Sequence, residues 1–87
     1  MRIISQGGNA DLPYEEIALC MACEDIIARH NDKEYLMARY STMDKAKKAM
    51  EMLHITYKGN KVEEVYQEGT NYYHPTFQFP ADEDVKV

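Results

Sequence analysis

The clearest hydrophobic pattern in the chain covers residues 34–59 and predicts a strand followed directly by a helix. Residues 35–40 (YLMARY) suit a half-buried strand. Beyond them, apolar residues recur every three or four positions, which is the spacing of one helical face. These residues are Met43, Ala46, Met50, Leu53 and Tyr57. We therefore expect a helix over residues 42–58, packed on a sheet that contains the preceding strand.

Both ends of this predicted helix carry residues that suit helix ends. Ser41 and Asp44 have the spacing of a capping box, in which a hydroxyl and a carboxylate bond free backbone N–H groups. Gly59 and Asn60 tolerate the positive φ that closes many helices. We expect the helix to end just before this pair.

Residues 17–30 fit two different structures. Propensity slightly favours a helix that starts near Pro13, because proline and the acidic residues after it suit a first helical turn. The spacing of the short apolar runs favours two strands instead, residues 17–22 and 26–30, with a turn at Cys23. We expect the strands, and the helix stays the alternative.

The two ends of the chain predict further strands. Residues 2–6 and 76–79 have strand character, and the Gly7–Gly8 pair after the first of them is a turn signal. The polar and aromatic segment between residues 60 and 74 allows a short helical turn. Residues 80–87 form an acidic tail that we expect to be mobile.

Length and charge narrow the class of protein. With 87 residues, the chain suits one domain with a modest core. We expect an α+β fold, with a small antiparallel sheet of four or five strands and one main helix on one face. A net charge of −5 disfavours nucleic-acid binding, which depends on basic surface.

No apolar run reaches the ~18 residues of a membrane span, and the first residues lack the pattern of a signal peptide. We expect a cytoplasmic protein.

Several short blocks of the sequence stand in a distinctive order. They are MRIISQ at residues 1–6, DLPYE at 11–15, YST at 40–42, KAKKAMEML at 45–53 and FQFPADEDV at 77–85. Together they resemble a group of small uncharacterised proteins of Gram-positive gut bacteria and their prophages. The resemblance implies strands over residues 17–30 and an association with mobile elements. It implies no activity, cofactor or catalytic residue.

The two cysteines and three histidines raise the question of a metal site. Cys20 and Cys23, with His30, His54 and His74, contain the ligand types that zinc prefers. However, Cys20 and Cys23 lie in an apolar run and would face opposite sides of a strand. We expect buried thiols, no metal and no cofactor. No histidine has a neighbouring motif for nucleophilic or general-base chemistry, so we expect a protein that is not an enzyme.

The strand at residues 35–40 predicts a binding surface. Alternation places Tyr35, Met37 and Arg39 on one face and Leu36 on the other. If the helix covers the Leu36 side, the first face stays half exposed, and tyrosine and arginine are common at interfaces. Nearby Arg29 and two late tyrosines extend the surface. The candidate binding residues are Arg29, Tyr35, Met37, Arg39, Tyr72 and Tyr73.

These observations favour a non-enzymatic protein-binding or regulatory module, an accessory protein that contacts a protein partner or a second copy of itself. The alternative is a small-ligand or nucleotide-binding module that uses aromatic and basic side chains. A wide, flat surface would favour the first hypothesis. A closed pocket lined by tyrosine and arginine would favour the second.

Overall fold

The computed structural model of this chain describes residues 1–66 and 76–87, with side chains described outside residues 59–66. The elements in chain order are β1 (Arg2–Ile4), β2 (Asp11–Pro13), a 3-10 turn (Tyr14–Glu16), β3 (Ala18–Ala22), β4 (Asp25–His30), β5 (Lys33–Arg39), α1 (Met43–Tyr66), β6 (Thr76–Gln78) and a second 3-10 turn (Asp82–Asp84). The expected α+β class is confirmed. The strands of the described part divide between two three-stranded sheets, where we expected one sheet of four or five strands.

The first sheet has the strand order β2-β1-β6 and is centred on Ile3. Strand β1 pairs antiparallel with β2 and parallel with β6, which places Ile3 beside Leu12 and Phe77. All three side chains are buried. The turn after β1 contains Gly8 at φ 80°, a value that favours glycine over any residue with a Cβ atom. Ile3, Leu12 and Phe77 thus form a row of apolar side chains that the first sheet contributes to the core.

The second sheet is the antiparallel meander β3-β4-β5. Two residues, Cys23 and Glu24, join β3 to β4, and Asn31 and Asp32 join β4 to β5. Asn31 has a φ of 51° and Asp32 a φ of 64°. Paired positive values of this kind are what a two-residue hairpin turn of type I′ requires. The prediction of two strands over residues 17–30 is therefore confirmed, and the alternative helix is wrong.

A β-bulge interrupts the pairing of β4 with β5. Ile26 lies opposite Ala38, whereas Ile27 lies opposite Leu36, so Met37 is the extra residue on β5. The bulge resets the alternation of the strand. Residues before and after Met37 that we expected on one face consequently lie on opposite faces.

Helix α1 packs on the buried side of the second sheet, next to β4. Ala46, Ala49 and Leu53 are buried and belong to the same core cluster as the β4 residues Ile26 and Ala28. The predicted apolar face is confirmed at Ala46 and Leu53. Met43, at the first helical position, is half exposed instead.

The capping residue and the C-terminal end of α1 differ from the prediction. At the start, the backbone N–H of Lys45 donates to Oγ1 of Thr42 at 3.2 Å. The capping hydroxyl therefore belongs to Thr42 and not to Ser41. At the other end, the helix continues through Gly59 and Asn60 to Tyr66. Glycine within a helix costs only about 1 kcal/mol relative to alanine, and this cost does not stop a helix by itself.

The C-terminal residues that we expected to be a mobile tail pack against the rest of the chain. Val85 is 2% exposed, and Phe79 is similarly buried. The backbone N–H of Ser41, just before α1, donates to Oδ1 of Asp82 at 2.7 Å, and Lys45 Nζ lies 3.2 Å from Oδ2 of Asp82. The apolar side chains on either side of the acidic residues hold the segment against the core, where we expected a free acidic tail.

A single residue, Gln6, connects the two sheets and the C-terminal segment. Its backbone N–H donates to Met37 O at 2.7 Å, its Oε1 accepts from the Arg39 N–H at 3.1 Å, and its Nε2 donates to Pro80 O at 3.1 Å. Tyr40 donates its hydroxyl to the same Pro80 oxygen at 2.8 Å. Burial raises the pKa of Tyr40 to about 12.

Candidate functional site

The solvent side of the second sheet carries a continuous set of side chains, which we call the open face. Residues directly opposite one another in an antiparallel pair share a face of the sheet. The observed register therefore arranges these side chains in three rows that cross β3, β4 and β5. The rows are Ala18–Arg29–Glu34, Cys20–Ile27–Leu36 and Ala22–Asp25–Arg39.

The middle row of the open face is apolar on all three strands. Cys20 is exposed, Ile27 is half-buried and Leu36 is 49% exposed. Helix α1 covers the opposite side of this sheet, so this row contributes nothing to the core. Contiguous exposed apolar side chains on a sheet are typical of interaction surfaces.

The two outer rows of the open face each contain an ion pair. Arg39 approaches Asp25 through two hydrogen bonds, Nε to Oδ1 at 3.0 Å and Nη2 to Oδ2 at 3.2 Å. Arg29 Nη2 lies 3.1 Å from Oε2 of Glu34. Hydrogen bonding from Arg39 holds the pKa of Asp25 below its usual value, and Asp25 in turn raises the pKa of Arg39. The open face thus has an apolar centre and balanced charges at both sides.

A cleft of about 480 Å³ follows the outer edge of β5, between this strand and the loop after β1. Tyr35 and Arg39 line it from the strand, and Gln6 and Asn9 line it from the loop. Three polar atoms of the loop already have partners. The Gln6 amide bonds Arg39 N and Pro80 O, and Asn9 Oδ1 accepts from the Ser5 hydroxyl at 2.9 Å. A molecule in the cleft would have to compete with these hydrogen bonds.

The structure separates the residues that the sequence grouped as a binding surface. Arg29 and Arg39 lie on the open face, but Tyr35 and Met37 face the core, and Met37 is only 1% exposed. The bulge at Met37 causes the separation. Tyr72 and Tyr73 lie outside the described residues.

Sequence reasoning missed the apolar centre of the open face. We considered the case in which α1 covers the Leu36 side of the sheet, but in the structure Leu36 and Ile27 point away from α1. A usable signal was present in the turn at Asn31 and Asp32. Counting outward from a two-residue turn places Arg29 opposite Glu34 and Ile27 opposite Leu36, as observed.

The two cysteines are exposed, so the expectation of buried thiols is wrong. Cys20 lies on the open face of β3, and Cys23 lies in the turn that follows β3. In the part of the chain that the structure describes, no three His, Cys, Asp or Glu side chains converge as a metal site would require. His74, one of the residues considered as a ligand, lies outside that part.

No protein-family model, curated protein or solved structure matches this chain. Within residues 1–66 and 76–87, no helix is long and apolar enough to cross a membrane.

Proposed function

We propose that this protein is a non-enzymatic binding module that contacts another protein through the open face. The observation that carries the proposal is the exposed apolar row Cys20–Ile27–Leu36 with an ion pair on each side. Protein interfaces combine an apolar centre with a polar rim, and the open face has this arrangement before any partner is bound.

The two kinds of contact on the open face have different roles in this proposal. Burial of a leucine side chain such as Leu36 contributes about 1.5–3 kcal/mol when it is complete. The Arg29–Glu34 and Asp25–Arg39 pairs lie at the surface. Such pairs orient a partner and exclude wrong ones more than they add affinity. The proposed partner therefore presents an apolar strip with complementary charges beside it.

The proposal includes a cytoplasmic location and an accessory or regulatory role in a mobile element. Both depend on the sequence, the second of them on the resemblance of the five sequence blocks to prophage-associated proteins. The open face is compatible with such a role, since a small module of this kind acts by occupying a surface of another protein.

A matched pair of variants tests the open face. The partner is isolated on the tagged chain from cells that express it, and its dissociation constant is measured for wild type, Leu36→Asp and Ile55→Asp. Ile55 is also exposed, at 67%, but lies on α1. We expect Leu36→Asp to weaken binding at least about tenfold, which corresponds to about 1.4 kcal/mol, while Ile55→Asp binds like wild type. Equal affinities for the two variants, with unchanged thermal midpoints, would contradict the proposal.

A small-ligand or nucleotide-binding role is the second candidate, and the cleft beside β5 is the observation that favours it. We rank it second because the cleft is open and the Gln6 amide that lines it already has hydrogen-bond partners. Saturation-transfer NMR with a nucleotide mixture tests this role. Signals that disappear in Tyr35→Leu would support it, and signals unchanged by that substitution would place the ligand elsewhere.

A further inference from the structure

Strand β3 forms one edge of the second sheet. In the described part of the chain, β4 is its one strand neighbour. The backbone of the opposite edge strand, β5, forms hydrogen bonds with Gln6 at Met37 and Arg39. Edge strands are usually protected from further pairing by charged residues, proline or a bulge. Residues Ala18–Ala22 contain no charged residue and no proline, and their pairing with β4 is regular.

The turn after β3 determines which backbone groups face outward. A two-residue turn closes on a hydrogen-bonded pair, here Ala22 with Asp25, and such pairs alternate along an antiparallel ladder. Cys20 is then hydrogen bonded to β4. Leu19 and Met21 consequently direct their backbone N–H and C=O groups to the edge of β3 away from β4.

The sequence of β3 is complementary to itself about a two-fold axis. When two copies run antiparallel with Cys20 on the axis, Ala18 lies opposite Ala22 of the second copy and Leu19 lies opposite its Met21. Every pair joins uncharged side chains of similar size, so no like charges meet. The Leu19 and Met21 backbones supply about four hydrogen bonds across the axis.

We propose that two copies of this chain pair through β3 and form one six-stranded sheet. A closed two-fold contact of this kind is the commonest arrangement of protein homodimers. This inference goes beyond the proposed function, because the dimer forms from the pure chain without any other partner. It also changes the open face: the two middle rows join into one apolar row, Leu36–Ile27–Cys20 followed by Cys20–Ile27–Leu36 of the second copy.

Charged substitutions of Cys20, the residue on the two-fold axis, test the dimer through the mass of the purified protein. Cys20→Lys places two lysines opposite each other, and like charges in such a pair repel. We expect the purified variant to sediment at its monomer mass, near 10.1 kDa, instead of twice that value. Leu36→Lys adds the same charge to the same face, two strands away, and stays dimeric. An equimolar mixture of Cys20→Lys and Cys20→Glu recovers the dimer. A wild-type monomer, or a dimer that persists in Cys20→Lys, would overturn the proposal.

Disulfide formation tests the register. Across the axis, the two Cys20 Cα atoms form a non-hydrogen-bonded pair about 4.5 Å apart, within the range that a disulfide bridges. The two Cys23 residues lie six positions apart along the paired strands, about 20 Å. With diamide as the oxidant, we expect a covalent dimer in Cys23→Ser and none in Cys20→Ser. Equal cross-linking in both variants would exclude this register.

The two proposals fail separately. Cys20→Lys reports on the dimer alone, and partner binding is judged from Leu36→Lys, because Cys20 itself belongs to the apolar row of the open face. Loss of partner binding in Leu36→Lys with a retained dimer supports both. A dimeric wild type whose partner binding does not respond to Leu36→Lys rejects the open face and retains the β3 contact.

Discussion

At the scale of single residues, the turn between β3 and β4 contains a backbone conformation that does not suit its side chain. Cys23 has φ 57°, whereas the next residue, Glu24, does not have a positive φ. A turn with one positive value at its first central position normally has glycine there. A residue with a Cβ atom in this region costs about 1–2 kcal/mol.

Cys23→Gly should therefore stabilise the protein. We expect the free energy of unfolding to rise by about 1 kcal/mol in urea titrations, because the relief of strain exceeds the added flexibility of the unfolded chain. The matched control is Glu24→Gly, where no positive φ is relieved and stability should fall by about 0.5–1 kcal/mol. A decrease in both variants would show that the turn is unstrained.

Asp82 should make stability depend on pH in acid. The Ser41 N–H and then Lys45 bond its carboxylate, and they hold its pKa below the usual 3.8. A carboxyl group with a lowered folded pKa contributes stability above its unfolded pKa and loses it as the pH falls through the folded pKa. Asp82→Asn should thus be less stable than wild type at pH 7, and the difference should shrink below about pH 4.

Thermal midpoints measured from pH 7 to pH 2 check this expectation for Asp82. Asp84→Asn is the control, since the Asp84 side chain is exposed in the same acidic segment. We expect Asp84→Asn to follow wild type at every pH. A constant difference between wild type and Asp82→Asn down to pH 2 would argue against the contact with the start of α1.

At the scale of secondary-structure elements, α1 holds the second sheet through a narrow strip of small and medium side chains. Leu53 is fully buried in this strip, whereas Ile55, two residues later, is 67% exposed. Leu53→Ala should lower the free energy of unfolding by about 2–5 kcal/mol, because it leaves a cavity in the core. Ile55→Ala should change it by less than about 0.5 kcal/mol. Chemical denaturation of both variants checks the orientation of the helix, and similar losses would contradict it.

Elements governed by local pattern could be predicted from the sequence. The strands β3 and β4 and the start of α1 follow from apolar periodicity and short turns, which act within a few residues. The bulge could not be predicted in this way. The turn at residues 31–32 sets Ile27 opposite Leu36, while the Asp25–Arg39 pair needs one more residue on β5, and Met37 supplies it. The bulge is therefore compatible with both the register that the turn sets and the pairing of Asp25 with Arg39.

The packing of the C-terminal segment also could not be predicted from the sequence. Three consecutive acidic residues suggest a solvated tail by composition alone. Their placement is decided by contacts across the chain, between Asp82 and Ser41 and through the buried side chain of Val85. The candidate surface was predicted in part. The sequence indicated Arg29 and Arg39, but the exposure of Ile27 and Leu36 depends on the register between β4 and β5.

At the scale of the whole molecule, Gln6 joins the two sheets and the C-terminal segment through three hydrogen bonds. Gln6→Ala removes the Gln6 side chain from the Arg39 N–H and from Pro80 O, which keeps its bond from the Tyr40 hydroxyl. We expect a loss of about 1–2 kcal/mol in the free energy of unfolding, since each hydrogen bond of this kind contributes about 0.5–1.5 kcal/mol. Gln78→Ala is the control, because Gln78 is exposed on β6 and its Nε2 makes one long hydrogen bond, 3.4 Å to Ser5 O, so the change should cost less than about 0.5 kcal/mol. Equal effects would mean that the Gln6 bridge adds nothing.

The whole molecule thus presents one covered side and one exposed side of the second sheet. Helix α1 and the core side chains lie against the first, and the open face forms the second. The bulge positions this division along β5, since Met37 and Ala38 both face inward while Leu36 before them and Arg39 after them face outward. The proposed function depends on this division more than on any single contact.

Methyl NMR of the complex tests the proposed role of the open face most directly. The isolated partner is added to chain labelled at isoleucine and leucine methyl groups, and shifts are recorded at Ile27, Leu36 and Ile55. We expect the Ile27 and Leu36 signals to shift or broaden while Ile55, exposed on α1, stays unchanged. Shifts at Ile55 with unchanged signals at Ile27 and Leu36 would contradict the proposal, because the partner would then bind the opposite side of the molecule.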